Sequence, residues 1–158
     1  MKVIEVVKIL AVVLDTRLSW STQIAHAASK GNKAALALRR LKGLRLHTVR
    51  QLYISTVAPV LDYGSPVWSP LLTERNLGKL EQAQAIGVRA IINAFRMVAL
   101  LIAEAEACVK PIPIRLEKHT RQFWLNAHTL PAKHPFWVLK TKVTLANKRF
   151  VSPLQVIA

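Results

Sequence analysis

Thr73-Glu74-Arg75-Asn76-Leu77-Gly78-Lys79-Leu80-Glu81-Gln82-Ala83-Gln84-Ala85-Ile86-Gly87-Val88-Arg89-Ala90-Ile91 is the stretch on which the fold class turns. Thr73 is a residue type that accepts hydrogen bonds from the orphan N–H groups of a first helical turn. Leu77, Leu80, Val88, Ile91 and, further on, Phe95 recur at helical spacing, which predicts one amphipathic helix from Thr73 to about Phe95. Gln84 alone interrupts that stripe. A buried amide costs stability unless it finds partners, so Gln84 is expected to be satisfied by a neighbouring segment or to lie at the stripe's edge.

Upstream, Thr48 and Gln51 stand at capping-box spacing and precede Val49, Leu52, Tyr53, Thr56, Val57 and Val60 on one face, a second helix that Pro59 should kink or end. The Gly- and Pro-containing stretch Leu61 to Pro70 predicts a structured connection with aromatic anchors. Before it, a helix should run from Ser19 or Ser21 to about Lys42, with Gly43 taking the left-handed C-terminal conformation and Ile24, Ala28, Ala35 and Leu38 inward. Downstream, a shorter helix is predicted over Ala99 to Cys108, closed by Pro111 and Pro113, and a fifth helix over Arg115 to Leu130, with Leu116, Phe123, Ala127 and Leu130 inward. Val6 to Leu14 is short and rich in Val, Ile and Leu, and reads as a buried strand with no pairing partner nearby. The fold class expected is therefore mainly α, a helical bundle with a short N-terminal β-strand. Three units follow: a strand over residues 1–18, a helical domain over 19–132, and a basic, loosely attached tail over 133–158.

The chain of 158 residues carries a formal net charge of +15, with an isoelectric point near 10.9. Self-repulsion of that size points to a polyanionic partner, nucleic acid first and an anionic membrane second. Asp15 and Asp62 bracket an acid-free stretch holding Lys30, Lys33, Arg39, Arg40, Lys42, Arg45 and Arg50. His26, Lys30, Lys33 and Arg40 fall along one side of the first helix, a stripe that would follow a phosphate backbone or, equally, form an ordinary solvated face. Arg96 completes the candidate nucleic-acid-binding set.

Catalytic chemistry finds no support. A two-metal phosphoryl-transfer centre needs several converging carboxylates, and Asp15 and Asp62 are isolated at turn positions, where an Asx-type turn or solvation is the expected role. The five histidines lack metal-binding spacing, and the glycines form no phosphate-cradling cluster. No cofactor and no metal site is expected in the chain. Cys108 is the only cysteine, which excludes an internal disulfide, fits a reducing compartment and suits a small buried hydrophobe. Of the four tryptophans, Trp137 beside His134 and Phe136 is expected to be the most exposed. Met1 to Leu14 followed by Ala25-His26-Ala27 loosely imitates a signal peptide, but Glu5, Lys8, Asp15 and Arg17 interrupt it. An intracellular location and no membrane partner are expected.

Several segments, in order, resemble the region after the palm in reverse transcriptases of LINE-type (non-LTR) retrotransposons, especially fungal ones. Lys8 to Trp20 is similar to the family's Leu-Gly-Val-x-Leu-Asp-x-x-Leu-x-Trp entry. Gln51-Leu52-Tyr53, Pro59 to Gly64 and Val67-Trp68 resemble its Leu-Tyr, Pro, Tyr-Gly and Trp signature. Leu80-Glu81-Gln82-Ala83-Gln84 resembles its Leu-Glu-x-x-Gln, and Ala94-Phe95-Arg96, Ala103 to Ala107, Pro111-Ile112 and Arg115-Leu116 resemble its later landmarks. The likeness spans roughly Lys8 to Pro135. It implies a thumb-like helical region that grips an RNA/DNA template-primer duplex beside a polymerase palm and upstream of an RNase H domain, both outside this chain. The parent polymerase would use Mg2+ on carboxylates of that palm. Ala11 in place of the entry Gly, Asn93 in place of Gly, and Met97 in place of Thr depart from the pattern and imply a truncated or decayed copy. A stand-alone nucleic-acid-binding protein, or a secreted interaction protein, is the alternative.

Overall fold

A computed structural model of the chain describes residues 6–131 and 133–135. The predicted 133–158 tail, Trp137 included, lies outside the described residues except for 133–135.

The expected single strand is a hairpin. β1 (Val6–Ile9) pairs antiparallel with β2 (Val12–Asp15), Val6 opposite Asp15 and Ile9 opposite Val12. Leu10 and Ala11 make the turn with φ of 46° and 64°. Two left-handed residues carrying a Cβ are costly, but folding back pairs backbone groups that a lone strand would leave empty. Gln23 Oε1 accepts from the Val13 N–H at 2.8 Å, and the Tyr63 hydroxyl donates to the Leu10 carbonyl at 2.9 Å, so the hairpin is pinned on the helices.

α1 (Ser21–Arg40) buries Ile24, Ala28, Ala35 and Leu38 as predicted. Its N-cap is Trp20 in a left-handed conformation rather than a serine. Ser19 is otherwise engaged: its hydroxyl and its N–H both donate to Asp15, at 2.7 and 2.8 Å, and the Arg17 N–H adds a third bond at 3.0 Å. Asp15 thus fills the expected Asx-type role. Burial is the largest single influence and opposes its charge, but the hydrogen bonds together outweigh it and hold its carboxyl below the usual value.

α2 (Leu46–Leu52) starts two residues before Thr48, so the capping box does not form. Pro59 does not end the helix either. A π turn over Tyr53–Val57 links α2 to α3 (Ala58–Asp62), and the Ala58 N–H reaches back five residues to the Tyr53 carbonyl. Proline supplies no N–H and its ring crowds the carbonyl four residues earlier; the wider turn just before it relieves both conflicts. The hydroxyls of Ser55 and Thr56 donate to the Leu52 carbonyl at 3.2 and 2.6 Å.

The Leu61–Pro70 connection is itself largely helical, with α4 (Ser65–Trp68) and a 3-10 turn at Ser69–Leu71. Trp68 is fully buried and donates to the Tyr63 carbonyl at 3.0 Å. Gly64 has φ +65°, and a Cβ there would stand 3.1 Å from Val12, so glycine serves both the turn and the hairpin's approach.

α5 (Glu74–Ile91) is capped by Thr73, whose side chain accepts from the Asn76 N–H. It ends four residues before Phe95, because Asn93 adopts φ +52°. Phe95 is 85% exposed and no part of the buried stripe. α6 (Leu100–Glu106) and α7 (Ile112–His128) follow. Pro113 sits in the first turn of α7 rather than closing α6, a position where a missing N–H costs nothing. Phe123 is exposed instead of inward, and Cys108, at φ +50°, is exposed rather than buried.

α1 and α5 form the central pair and run parallel. Asn76 near the start of α5 donates to Ser21 at the start of α1 at 3.2 Å. Further along, a Cβ placed on Gly31 would meet Ala83 at 3.6 Å, and one on Gly87 would meet Ala35 at 3.7 Å. The α2–α3 rod runs the other way, Tyr53 level with Gly87 and Leu61 level with Gly31. One core holds them together, with Ile24, Tyr53, Leu61, Trp68, Leu80 and Val88 fully or almost fully enclosed.

Candidate nucleic-acid interface and a buried polar hub

Lys30, Lys33, Arg39 and Arg40 are exposed on α1, and Lys42 and Arg45 are exposed in the connection to α2. Arg96 is exposed in the turn after α5. The parallel course of α1 and α5 carries Arg39, Arg40, Lys42 and Arg45 out of the same end of the bundle as Arg96. Lys30 and Lys33 lie farther down α1. His26, the remaining member of the stripe, is half-buried.

Arg50 is placed differently. Its Nε and Nη2 donate to the carbonyl of Cys108 at 3.3 and 2.9 Å, and Nε also reaches the Ala107 carbonyl at 3.1 Å. A guanidinium over these carbonyls satisfies acceptors that the end of α6 leaves open and complements its dipole. Arg50 is therefore a tie between α2 and α6, and only part of its guanidinium remains for a phosphate.

The helices also enclose a hub centred on Gln84, which is fully buried. Gln84 Oε1 accepts from the Tyr53 hydroxyl at 3.0 Å and from Arg115 Nη1; Nε2 donates to Glu104 and to the Lys110 carbonyl at 3.3 Å. The amide thereby uses its full hydrogen-bonding capacity. Arg115 also makes a forked pair with Asp62 at 2.8 and 2.9 Å and bonds the Lys110 carbonyl at 3.1 Å. His119 stands 3.4 Å from Asp62 with about half of its side chain in solvent.

Burial pushes the Tyr53 hydroxyl up to about 12 against the pull of Arg115, with Asp62 adding to the rise. Burial also raises the Glu104 carboxyl, opposed by the Gln84 hydrogen bond and assisted by Glu81. For Arg115, burial works against the charge and Asp62 overcomes it, leaving the guanidinium above its ordinary value. The hub joins the π turn, α3, α5, α6 and α7 through one amide and one guanidinium. Asp62 is consequently no solvated turn aspartate.

Gln84 was marked by its place in the apolar stripe. Tyr53, Glu104 and Arg115 were not foreseen as its partners, because they are separated from it by 20 to 31 residues and carry no common spacing.

A surface groove of about 480 Å³ runs between Ser69–Leu72 and α7. Its hydroxyls, Ser69 and Thr120, lie 2.9 Å apart, and the exposed ion pair of Arg121 with Glu117 lines it as well. Among the described residues no three His, Cys, Asp or Glu side chains gather as metal ligands, and no helix is long and apolar enough to cross a membrane. Comparison with family models, curated proteins and solved structures returns no match.

Proposed function

We propose that this chain is a non-catalytic, nucleic-acid-gripping segment of an RNA-directed DNA polymerase, the thumb-like region that follows the palm in LINE-type retrotransposon reverse transcriptases. The observation that carries the reading is the run of exposed cations on α1 and its exit, Lys30, Lys33, Arg39, Arg40, Lys42 and Arg45, with no carboxylate anywhere between Asp15 and Asp62. Such a surface attracts phosphates without internal neutralisation, and the counterions released on contact supply the binding free energy. The ordered motif series from Lys8 to Arg115 supports the assignment to this class of polymerase.

In this reading the RNA/DNA template-primer duplex lies against α1 while the chemistry happens elsewhere. The Mg2+ ions of the parent polymerase belong to carboxylates of the palm. The hub around Gln84 joins the π turn, α3, α5, α6 and α7, and α1, which carries most of the cations, packs along α5 of that frame.

The test is a titration of the purified chain against a short, blunt RNA–DNA hybrid at several salt concentrations. Each phosphate neutralised contributes a slope of about −0.9 to the plot of log Kobs against log salt. Replacing Lys30, Lys33 and Arg40 together by Gln should flatten that slope by roughly 2 to 3. Binding that is absent, or indifferent to salt, overturns the reading.

A further inference from the structure

The turn from Ile92 to Ala99 is held from inside. Arg89 Nε and Nη2 both donate to the Val98 carbonyl, at 3.1 and 2.7 Å, and the Arg89 carbonyl accepts from the Ala94 N–H at 2.9 Å. The Val98 N–H closes the tip onto the Phe95 carbonyl at 3.2 Å. One arginine of α5 thus ties both ends of the turn, and Phe95, Arg96 and Met97 are left at its tip. Phe95 is 85% and Met97 93% exposed.

Two large apolar side chains held in water by a braced turn mark a contact surface. Its charge says what kind. Arg96 stands between them, no carboxylate occurs between Glu81 and Glu104, and Glu104 is turned into the hub. The parallel α1–α5 pair brings the tip out at the same end of the bundle as Arg39, Arg40, Lys42 and Arg45. A fitting partner offers a flat apolar face and dense negative charge together. An unstacked nucleotide does so, since every base has a face for an aromatic ring and a phosphate beside it.

We propose that Phe95 and Arg96 form a stacking site for an unpaired nucleotide at the end of a bound duplex, Phe95 taking the base and Arg96 its phosphate. The proposal rests on the nucleic-acid reading above and adds a preference to it: hybrids with a single-stranded overhang over blunt ones. The interior of a duplex offers Phe95 no free base face, so an overhang is where the preference should register.

The experiment compares blunt and overhanging RNA–DNA hybrids, the overhang carrying 2-aminopurine, whose fluorescence falls when it stacks. The wild-type chain should bind the overhanging hybrid about tenfold more tightly and quench the probe. In Phe95→Ala the affinity ratio should fall to near one and the quench disappear, while Phe95→Trp should keep both. Circular dichroism confirms that the variants fold, as expected for so exposed a position. Blunt binding with no overhang preference in the wild type, or an undiminished quench in Phe95→Ala, overturns the stacking site and leaves the duplex reading intact. A wild-type chain that dimerises while Phe95→Ala does not would assign the tip to a second copy of the chain and overturn the proposal. No binding to either hybrid overturns both readings.

Discussion

The ring of Tyr53 occupies the space that a side chain at residue 87 would need: a Cβ built on Gly87 falls 2.4 Å from Tyr53 Cε2 and 2.7 Å from Cδ2. This contact sets the distance between the π turn and α5, and with it the reach of the Tyr53 hydroxyl to Gln84. Gly87→Ala should therefore be destabilising, by roughly 1 to 2 kcal/mol once the gain in helix propensity is set against overpacking. Gly78 on the same helix has open space where its Cβ would go, so Gly78→Ala should stabilise by about 0.5 to 1 kcal/mol. Urea unfolding of the two variants should give midpoints on opposite sides of the wild type.

Removing the central amide should cost more than any one of its bonds. Gln84→Leu leaves the Tyr53 hydroxyl, the Glu104 carboxyl and part of Arg115 without a partner, for an expected loss of about 3 kcal/mol. Adding Glu104→Leu to that variant removes one of the stranded groups, so the double variant should be more stable than the sum of the single changes predicts. A double-mutant cycle by chemical denaturation measures the difference, and strict additivity would contradict the hub.

Acid titration should expose Glu104. Its folded-state value is raised above 4.5, so the folded chain keeps this proton at pH values where the unfolded chain has released it. The stability it contributes is complete below 4.5 and is lost as pH rises through the raised folded value. Glu104→Gln keeps an acceptor for Gln84 and cannot titrate. The stability of the wild type relative to Glu104→Gln should thus decline from pH 4 towards neutrality, read from thermal melts across that range; a flat or rising difference counts against a strained carboxylate.

Arg50 separates grip from scaffold. Its bonds to the Ala107 and Cys108 carbonyls involve a charged donor and should be worth roughly 1.5 to 3 kcal/mol, so Arg50→Gln is expected to lower the unfolding midpoint. The salt slope for a blunt hybrid should change less in Arg50→Gln than in Arg40→Gln, whose parent side chain is exposed. Equal slope changes would return Arg50 to the phosphate-contacting set.

Local chemistry was legible wherever a short segment decides its own state. The Thr73 cap, the inward positions of α1 and the Asx role of Asp15 depend on neighbours within one or two helical turns, and the structure places them as their residue types predict. Where two local preferences compete, the outcome was not legible. Pro59 opposes a helix and its flanks favour one, and the π turn before it reconciles them. Phe95 continues an apolar period, but Asn93 breaks the helix first and leaves the ring in water.

By itself the sequence determined a basic, mainly helical chain whose cations between Asp15 and Asp62 go unneutralised, because charge and helical period are properties of the residues in order. The tertiary structure alone decided what Gln84 binds, that Asp62 pairs with Arg115, that Arg50 braces α6, and that the basic corner shares one end of the bundle with Phe95 and Arg96. Those relations join groups 20 to 58 residues apart. They exist only because the parallel α1–α5 pair and the opposed α2–α3 rod bring them into contact.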